Sequence, residues 1–317
     1  TFIVAFAIGS NDETMSPAVG AGVFSVGVAV TIGAILNASG AILFGEEVSK
    51  KVGGGLVKSG TPLTDLMISC VLLSMAIWLI LVSFSEGLPI STTQCVVGAV
   101  LGVVIVEWGF NEVNQNTVLE IFAGWIISPI VGFLGAALIF LLIQKVRSLS
   151  VIQGYAKYER QEEIAAYGLA LFLIWTAFSR GGNDVANAVA PLITMGDIDP
   201  LIPLAVGGIG MGLGLILIGR KVVKTLAHEV VSLKPSSALS ASGSVSIIMF
   251  VGTALGLPLS GSHILVAALI AVGWAGKTNV EFEAVKKILI SWIITVPISA
   301  ALAALLLVSG NFVLSLF

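Results

Sequence analysis

Two stretches limit what this chain can fold into: Ala29–Phe44 and Ile288–Val308 contain no charged residue and show no alternation of apolar with polar positions. Each is close to the ~20 residues that an α-helix needs to cross the hydrocarbon of a bilayer. In lipid every backbone N–H and C=O must be satisfied within the chain, so only helices or a closed barrel can span it. Barrel strands need a period of two, which these runs lack. The fold class is therefore all-α integral membrane. Composition agrees, with 57% of the 317 residues hydrophobic and 10% charged, against roughly a quarter charged in soluble domains. That length allows about ten membrane segments.

The formal net charge of -3 is small and points to no nucleic acid or polyanion partner, because in a membrane protein the placement of charge outweighs its sum. Cys70 and Cys95 lie in apolar segments and read as small buried hydrophobes, with no disulfide expected. The chain opens on apolar Thr1–Ile8 without an initiator Met or a charged leader. It reads as starting inside a helix, with N-terminal sequence expected to be missing.

The same landmarks recur in the same order in the two halves. Asn11-Asp12 is answered by Asn183-Asp184, and Ile42–Gly45 by Ile216–Gly219. Gly87-Leu88-Pro89-Ile90-Ser91 is answered by Gly256-Leu257-Pro258-Leu259-Ser260, and Trp125–Pro129 by Trp292–Pro297. The spacings agree, with Asp12 to Gly87 at 75 and Asp184 to Gly256 at 72 residues. Chance likeness of apolar segments would not keep such polar and Gly/Pro punctuation in register, so the chain reads as an internal repeat.

Apolar segments are expected near 1–24, 25–44, 64–86, 93–107 and 118–143, and again near 165–194, 201–218, 240–256, 262–275 and 287–312. The fourth of each set is short and follows a Gly-x-Pro break, so each pair reads as a helical hairpin meeting the midplane. A hairpin returns to the side it left, each half makes an odd number of net crossings, and the second half must be inverted. The expected organisation is a first inverted repeat over 1–147, a cytoplasmic linker over 148–164, and a second inverted repeat over 165–317, with discontinuous helices. With that linker inside, eleven of the fifteen Lys and Arg residues are cytoplasmic, and the outer loops near 107–120 and 196–200 carry only acids. The cell inner or plasma membrane is the expected location.

Charged groups near mid-membrane cost about 2.5 to 3.5 kcal/mol on insertion scales and mark functional sites. Asn11, Asp12, Glu13 and Thr14 in one half, and Asn183, Asp184 and Asn187 in the other, offer carboxylate, amide and hydroxyl oxygens that suit a hard monovalent cation. Sodium fits such a shell, and a proton is the alternative; no other metal or cofactor is implied. A structural ion pair of Asp184 with Arg180 would not explain why Asn-Asp recurs. The hairpin tips place hydroxyls at helix N-termini, where free N–H groups and the helix dipole favour an anion. Ser91, Thr92 and Thr93, with Ser260, Gly261 and Ser262, are therefore the candidate oxyanion cradle, bordered by Asp12 and Asp184. Held together, cation and oxyanion would stabilise each other, which points to cotransport.

Gly182-Asn183-Asp184-Val185-Ala186-Asn187-Ala188 and the paired Gly-Leu-Pro-x-Ser motifs resemble those of the PiT family of inorganic phosphate transporters, over nearly the whole chain. The resemblance implies sodium- or proton-coupled phosphate symport, with phosphate, sodium and the lipid bilayer as partners; a homodimer is the one self-assembly considered. The chain departs from the pattern at Glu13-Thr14-Met15-Ser16-Pro17, so the family's second Asn has no counterpart at Met15. Gln94 stands where the family commonly has His, and Ser260-Gly261-Ser262-His263 lacks one hydroxyl. The same donors could hold sulfate or arsenate, which competition would reveal. An anion channel is distinguished by uptake that neither saturates nor accumulates. An intramembrane enzyme is disfavoured, because no nucleophile sits beside a general base.

Overall fold

A computed structural model of the chain describes residues 1–51, 56–58, 60–148, 155–195, 199–254 and 259–316. The second Gly-Leu-Pro break at Gly256–Pro258, the acid Asp197 and positions 149–154 of the linker lie outside the described residues. The helices are α1 (Phe2–Ser10), α2 (Ser16–Gly20), α3 (Val26–Lys51), α4 (Asp65–Ser85), α5 (Thr92–Trp108), α6 (Gln115–Ser148), α7 (Tyr155–Met195), α8 (Leu201–Gly214), α9 (Arg220–Glu229), α10 (Pro235–Ala254), α11 (Gly261–Ala275) and α12 (Phe282–Leu314). A π-helical turn, Leu215–Gly219, joins α8 to α9. His228 sits in the last turn of α9. Residues 155–164 already belong to α7.

Six helices among the described residues are long and apolar enough to cross a bilayer: Val26–Glu46, Asp65–Ser85, Gln115–Ser148, Tyr158–Val189, Leu201–Glu229 and Phe282–Leu314. Thr92–Trp108, Pro235–Val251 and Gly261–Ala275 are apolar but shorter. Leu43, Phe84, Leu171 and Ile293 stand exposed on the outer surface, as side chains that face lipid must.

The halves are inverted-topology repeats, and their equivalent helices exchange partners in the packing. In this repeat α1 corresponds to α7, α3 to α8, α4–α5 to α10–α11 and α6 to α12. Accordingly α1 packs on α8 while α3 packs on α7, and α5 packs on α12 while α11 packs on α6. The close approaches repeat as well. A Cβ on Gly40 would lie 1.9 Å from the Phe178 carbonyl oxygen, and one on Gly214 would lie 2.0 Å from that of Phe6. Gly40 and Gly214 are equivalent, as are Phe178 and Phe6, so small residues at matching places let the backbones touch. Single antiparallel bridges, Val57 with Val113 and Val231 with Val280, brace the hairpins in the same equivalent way.

Symmetry fails at the first Asn-Asp. The single helix expected over 1–24 is broken, and α1 ends at Ser10 while α2 begins at Ser16. Asp12 Oδ1 accepts the Thr14 amide at 2.9 Å, a local bond that competes with helical pairing. Pro17, in the first turn of α2, has no N–H to continue a preceding helix. In α7 Asp184 is followed by Val185 and Ala186 with no proline, and the helix runs through.

The first hairpin turns where the sequence breaks. Gly87 adopts φ +65, a left-handed conformation that glycine takes freely, and its amide donates to the Val82 carbonyl at 3.0 Å. Lys221 Nζ on α9 donates to the carbonyls of Phe84, at 3.0 Å, and Ser85, covering the acceptors left open at the end of α4. Ser91 then caps α5, its Oγ accepting the Gln94 amide at 3.3 Å. Ser260 caps α11 in the same way, accepting the His263 amide at 3.4 Å.

Candidate functional site

The α1–α2 break delivers Asp12, Glu13 and Thr14 into the interior, where their side chains face α3, α7 and the hairpin tips. Asp12 Oδ1 accepts from the Thr14 hydroxyl at 2.6 Å, and Asp12 Oδ2 accepts from Asn37 Nδ2 on α3 at 2.6 Å. Arg180 reaches across from α7: its Nη1 donates to Glu13 Oε1 at 2.9 Å and to Thr14 Oγ1 at 2.8 Å, and lies 3.6 Å from Asp12 Oδ1. Its Nε donates to Asp184 Oδ2 at 3.3 Å, one turn along the same helix. The Arg180–Asp184 pair is thus real, and it is one side of a cluster that joins both Asn-Asp motifs.

The hairpin tips close on this cluster. Asn11 Nδ2 donates to Ser83 Oγ at 3.0 Å and to the Leu88 carbonyl at 3.1 Å, while Asn11 Oδ1 accepts the Ile90 amide at 3.0 Å. From the second tip, Ser262 Oγ lies 3.0 Å from Glu13 Oε1 and 3.4 Å from the Ile90 carbonyl. Trp292 Nε1 on α12 donates to the Pro89 carbonyl at 3.0 Å. His263 is buried with its ring 4.0 Å from that of Trp292. The N-termini of α5 and α11 and the three acids therefore share one interior region.

Asp12, Glu13, Asp184 and Arg180 are 2%, 1%, 6% and 8% exposed. With the acids ionised, three carboxylates meet one guanidinium, which leaves negative charge in excess. Glu13 Oε2 and Asn37 Oδ1 are buried and have no protein hydrogen-bond partner. Buried acceptors are normally satisfied, so these oxygens are acceptors open to a positively charged or protic ligand.

The profile of the phosphate transporter family matches residues 8–303. The chain belongs to that family. A candidate phosphate permease of Thermococcus kodakarensis is 30% identical, the match spanning 96% of this chain and 94% of the relative. The chloroplastic inorganic phosphate transporter 2-1 of Arabidopsis thaliana is 27% identical over 96% of this chain and 70% of its own length. Among solved structures, the sodium-dependent phosphate transporter superposes with a TM-score of 0.85 at 27% identity, covering 98% of this chain and 97% of that one. This phosphate transporter family member is accordingly a multi-pass membrane protein.

Within the transporter, Asp12, Glu13, Thr14, Asp184 and Ser262 are gathered in one hydrogen-bonded cluster, and Asn183 Nδ2 joins it 3.4 Å from Asp184 Oδ1. Asn187 lies one turn further along α7. Asn11 is committed to the hairpin turn. Ser91 and Ser260 cap their helices, with Gly261 beside Ser260 opening α11, and Thr92 and Thr93 are half-buried in the first turn of α5. Sequence reasoning left Asn37 and Arg180 out of the site. Asn37 is the one amide in the uncharged stretch 29–44, which is a usable signal, and Arg180 enters the sequence reading only as the one-turn neighbour of Asp184.

Proposed function

We propose that this transporter moves inorganic phosphate together with sodium. Phosphate is held by Ser91, Thr92, Thr93, Ser260, Gly261 and Ser262 at the ends of α5 and α11. Asp12 and Asp184 lie at its border with the cation. The cation is held by Asp12, Glu13, Thr14, Asn183, Asp184 and Asn187, and Asn11 ties that set to the first hairpin.

The observation that carries this reading is the 3.0 Å contact of Ser262 with Glu13, where a donor of the anion cradle meets the acid cluster. Two unit charges 4 Å apart interact by about 4 kcal/mol at an effective dielectric of ~20. Phosphate entering beside the excess carboxylates would meet a repulsion several times that size. A cation bound between them offsets part of that repulsion, so the ligands favour each other and cotransport follows. Hard monovalent cations take oxygen ligands, and the cluster supplies carboxylate, amide and hydroxyl oxygens. The inverted halves then expose the shared site to one side at a time.

Radiolabelled phosphate uptake into proteoliposomes with an imposed sodium or proton gradient tests the reading, with sulfate as competitor. Saturable, accumulative uptake driven by sodium and resistant to sulfate is expected. Uptake driven by the proton gradient alone would make the proton the coupling ion. Uptake that neither saturates nor accumulates would make the protein a channel.

A further inference from the structure

Around the repeated Asn-Asp motifs, two charged residues have no polar counterpart. Aligning Asn11-Asp12 with Asn183-Asp184 places Ile8 opposite Arg180 and Val185 opposite Glu13. Both apolar equivalents are buried, so the frame of the site is built in one half or the other without either charge. Arg180 and Glu13 are nevertheless bonded to each other at 2.9 Å. They form a matched pair added to the frame.

The partners of Glu13 indicate what the addition does. One carboxylate oxygen, Oε1, receives the Arg180 guanidinium and the Ser262 hydroxyl at the N-terminal end of α11. A guanidinium, a hydroxyl and a helix N-terminus are together the donor set that recognises a phosphate oxygen. The other oxygen, Oε2, is buried and unpartnered, so the carboxylate fills the position without using its full bonding capacity. A Cβ on Gly261 would stand 3.4 Å from Arg180 Cζ, in ordinary van der Waals contact, so the guanidinium lies beside the start of α11. Arg180 also lines a shallow cleft between α7 and α10, together with Thr176, Ser179, Asn183 and Ser246 and the apolar Trp175, Met249 and Phe250.

We infer that Arg180 is a ligand of the transported oxyanion and that the Glu13 carboxylate holds the oxyanion's place in the unloaded site. The inference rests on the phosphate and sodium reading above and adds how the two are linked. Arriving phosphate takes Arg180 and Ser262 from Glu13. The released carboxylate, already beside Asp12, then becomes a free cation ligand. Anion binding thereby completes the cation site, and a cation bound first draws Glu13 away and opens the anion site. Exchange of one carboxylate couples the two ligands without any large movement.

Equilibrium binding of radiolabelled phosphate to the purified protein in nanodiscs, in sodium and in choline, tests this. The wild type should bind phosphate much more tightly in sodium than in choline. In Glu13→Gln a neutral amide competes less for the donors, so phosphate should bind at least tenfold more tightly in choline than to the wild type and lose most of its sodium dependence. Arg180→Gln should weaken phosphate binding at least tenfold in both media. A wild-type Kd with wild-type sodium dependence in Glu13→Gln, or an unchanged Kd in Arg180→Gln, overturns the inference while leaving sodium-phosphate cotransport standing. A wild type that binds no phosphate in either medium sinks the cotransport reading itself. If the variants do not fold, infrared difference spectra of wild-type protein carrying isotope-labelled glutamate decide: phosphate should shift a labelled carboxylate band, and no shift overturns the exchange.

Discussion

Asn11 Oδ1 accepts the backbone amide of Ile90 at 3.0 Å, so the residue that opens the first Asn-Asp motif also holds the tip of the first hairpin. Its Nδ2 group completes the clamp on Ser83 and Leu88. Replacing Asn11 with Leu leaves the buried Ile90 amide without its partner, a loss of about 1–3 kcal/mol. We expect Asn11→Leu to lower the thermal unfolding temperature in detergent and to reduce phosphate uptake. An unchanged melt with normal uptake would show that the clamp is dispensable.

Asp12→Asn and Asp184→Asn should each abolish cation-driven uptake in a folded protein. Asparagine keeps the volume and one acceptor oxygen for Asn37 or Arg180, but removes the charge that attracts the cation. Relief of a buried charge does not by itself unfold a helix when Arg180 retains Glu13 as partner. Uptake at varied sodium, with size-exclusion behaviour as the folding control, checks this; normal sodium dependence in either variant would remove that residue from the site.

Capping and phosphate binding can be separated within one helical turn. Ser91 accepts the Gln94 amide, so Ser91→Ala should cost about 1 kcal/mol of stability as a lost cap in addition to any lost donor. Thr92 and Thr93 stand beyond the cap. The double variant Thr92→Ala/Thr93→Ala should therefore melt like the wild type and bind phosphate at least tenfold more weakly, since a hydrogen bond to a charged group contributes roughly 1.5–3 kcal/mol. An unaltered phosphate Kd in the double variant would reduce these hydroxyls to bystanders.

Alternating access should be visible at the hairpin tips. Ile90 is 0% exposed, so a cysteine there should resist a membrane-impermeant thiol reagent in the conformation described here. With Cys70 and Cys95 replaced, Ile90→Cys and Leu259→Cys should change reactivity in opposite senses from the two sides when sodium and phosphate are added. Equal reactivity from both sides under every ligand condition would identify a continuous pore.

Local and periodic features were legible without any structure. Uncharged runs specify helices in lipid, because only intra-segment pairing satisfies a backbone there. The recurrence of Asn-Asp and Gly-Leu-Pro-x-Ser reveals the inverted repeat, and serine after a Gly-Pro break announces a helix cap. The break at Asn11–Met15 departs from the continuous segment expected over 1–24, because Pro17 and the short Asp12 side chain both oppose a helix.

What only the tertiary structure decided is which polar groups meet. Asn37 reaches Asp12 where glycines bring α3 and α7 into backbone contact and the α1–α2 break meets both helices. Arg180 reads in sequence as the one-turn neighbour of Asp184, yet its shortest carboxylate contact is with Glu13, 167 positions away. Ser262 meets Glu13 across 249 positions. Composition and spacing specify which segments bury themselves in lipid and where helices stop. The pairing of buried charges depends on helix separation and rotation, and those are set by where the glycines of one half let the backbone of the other approach.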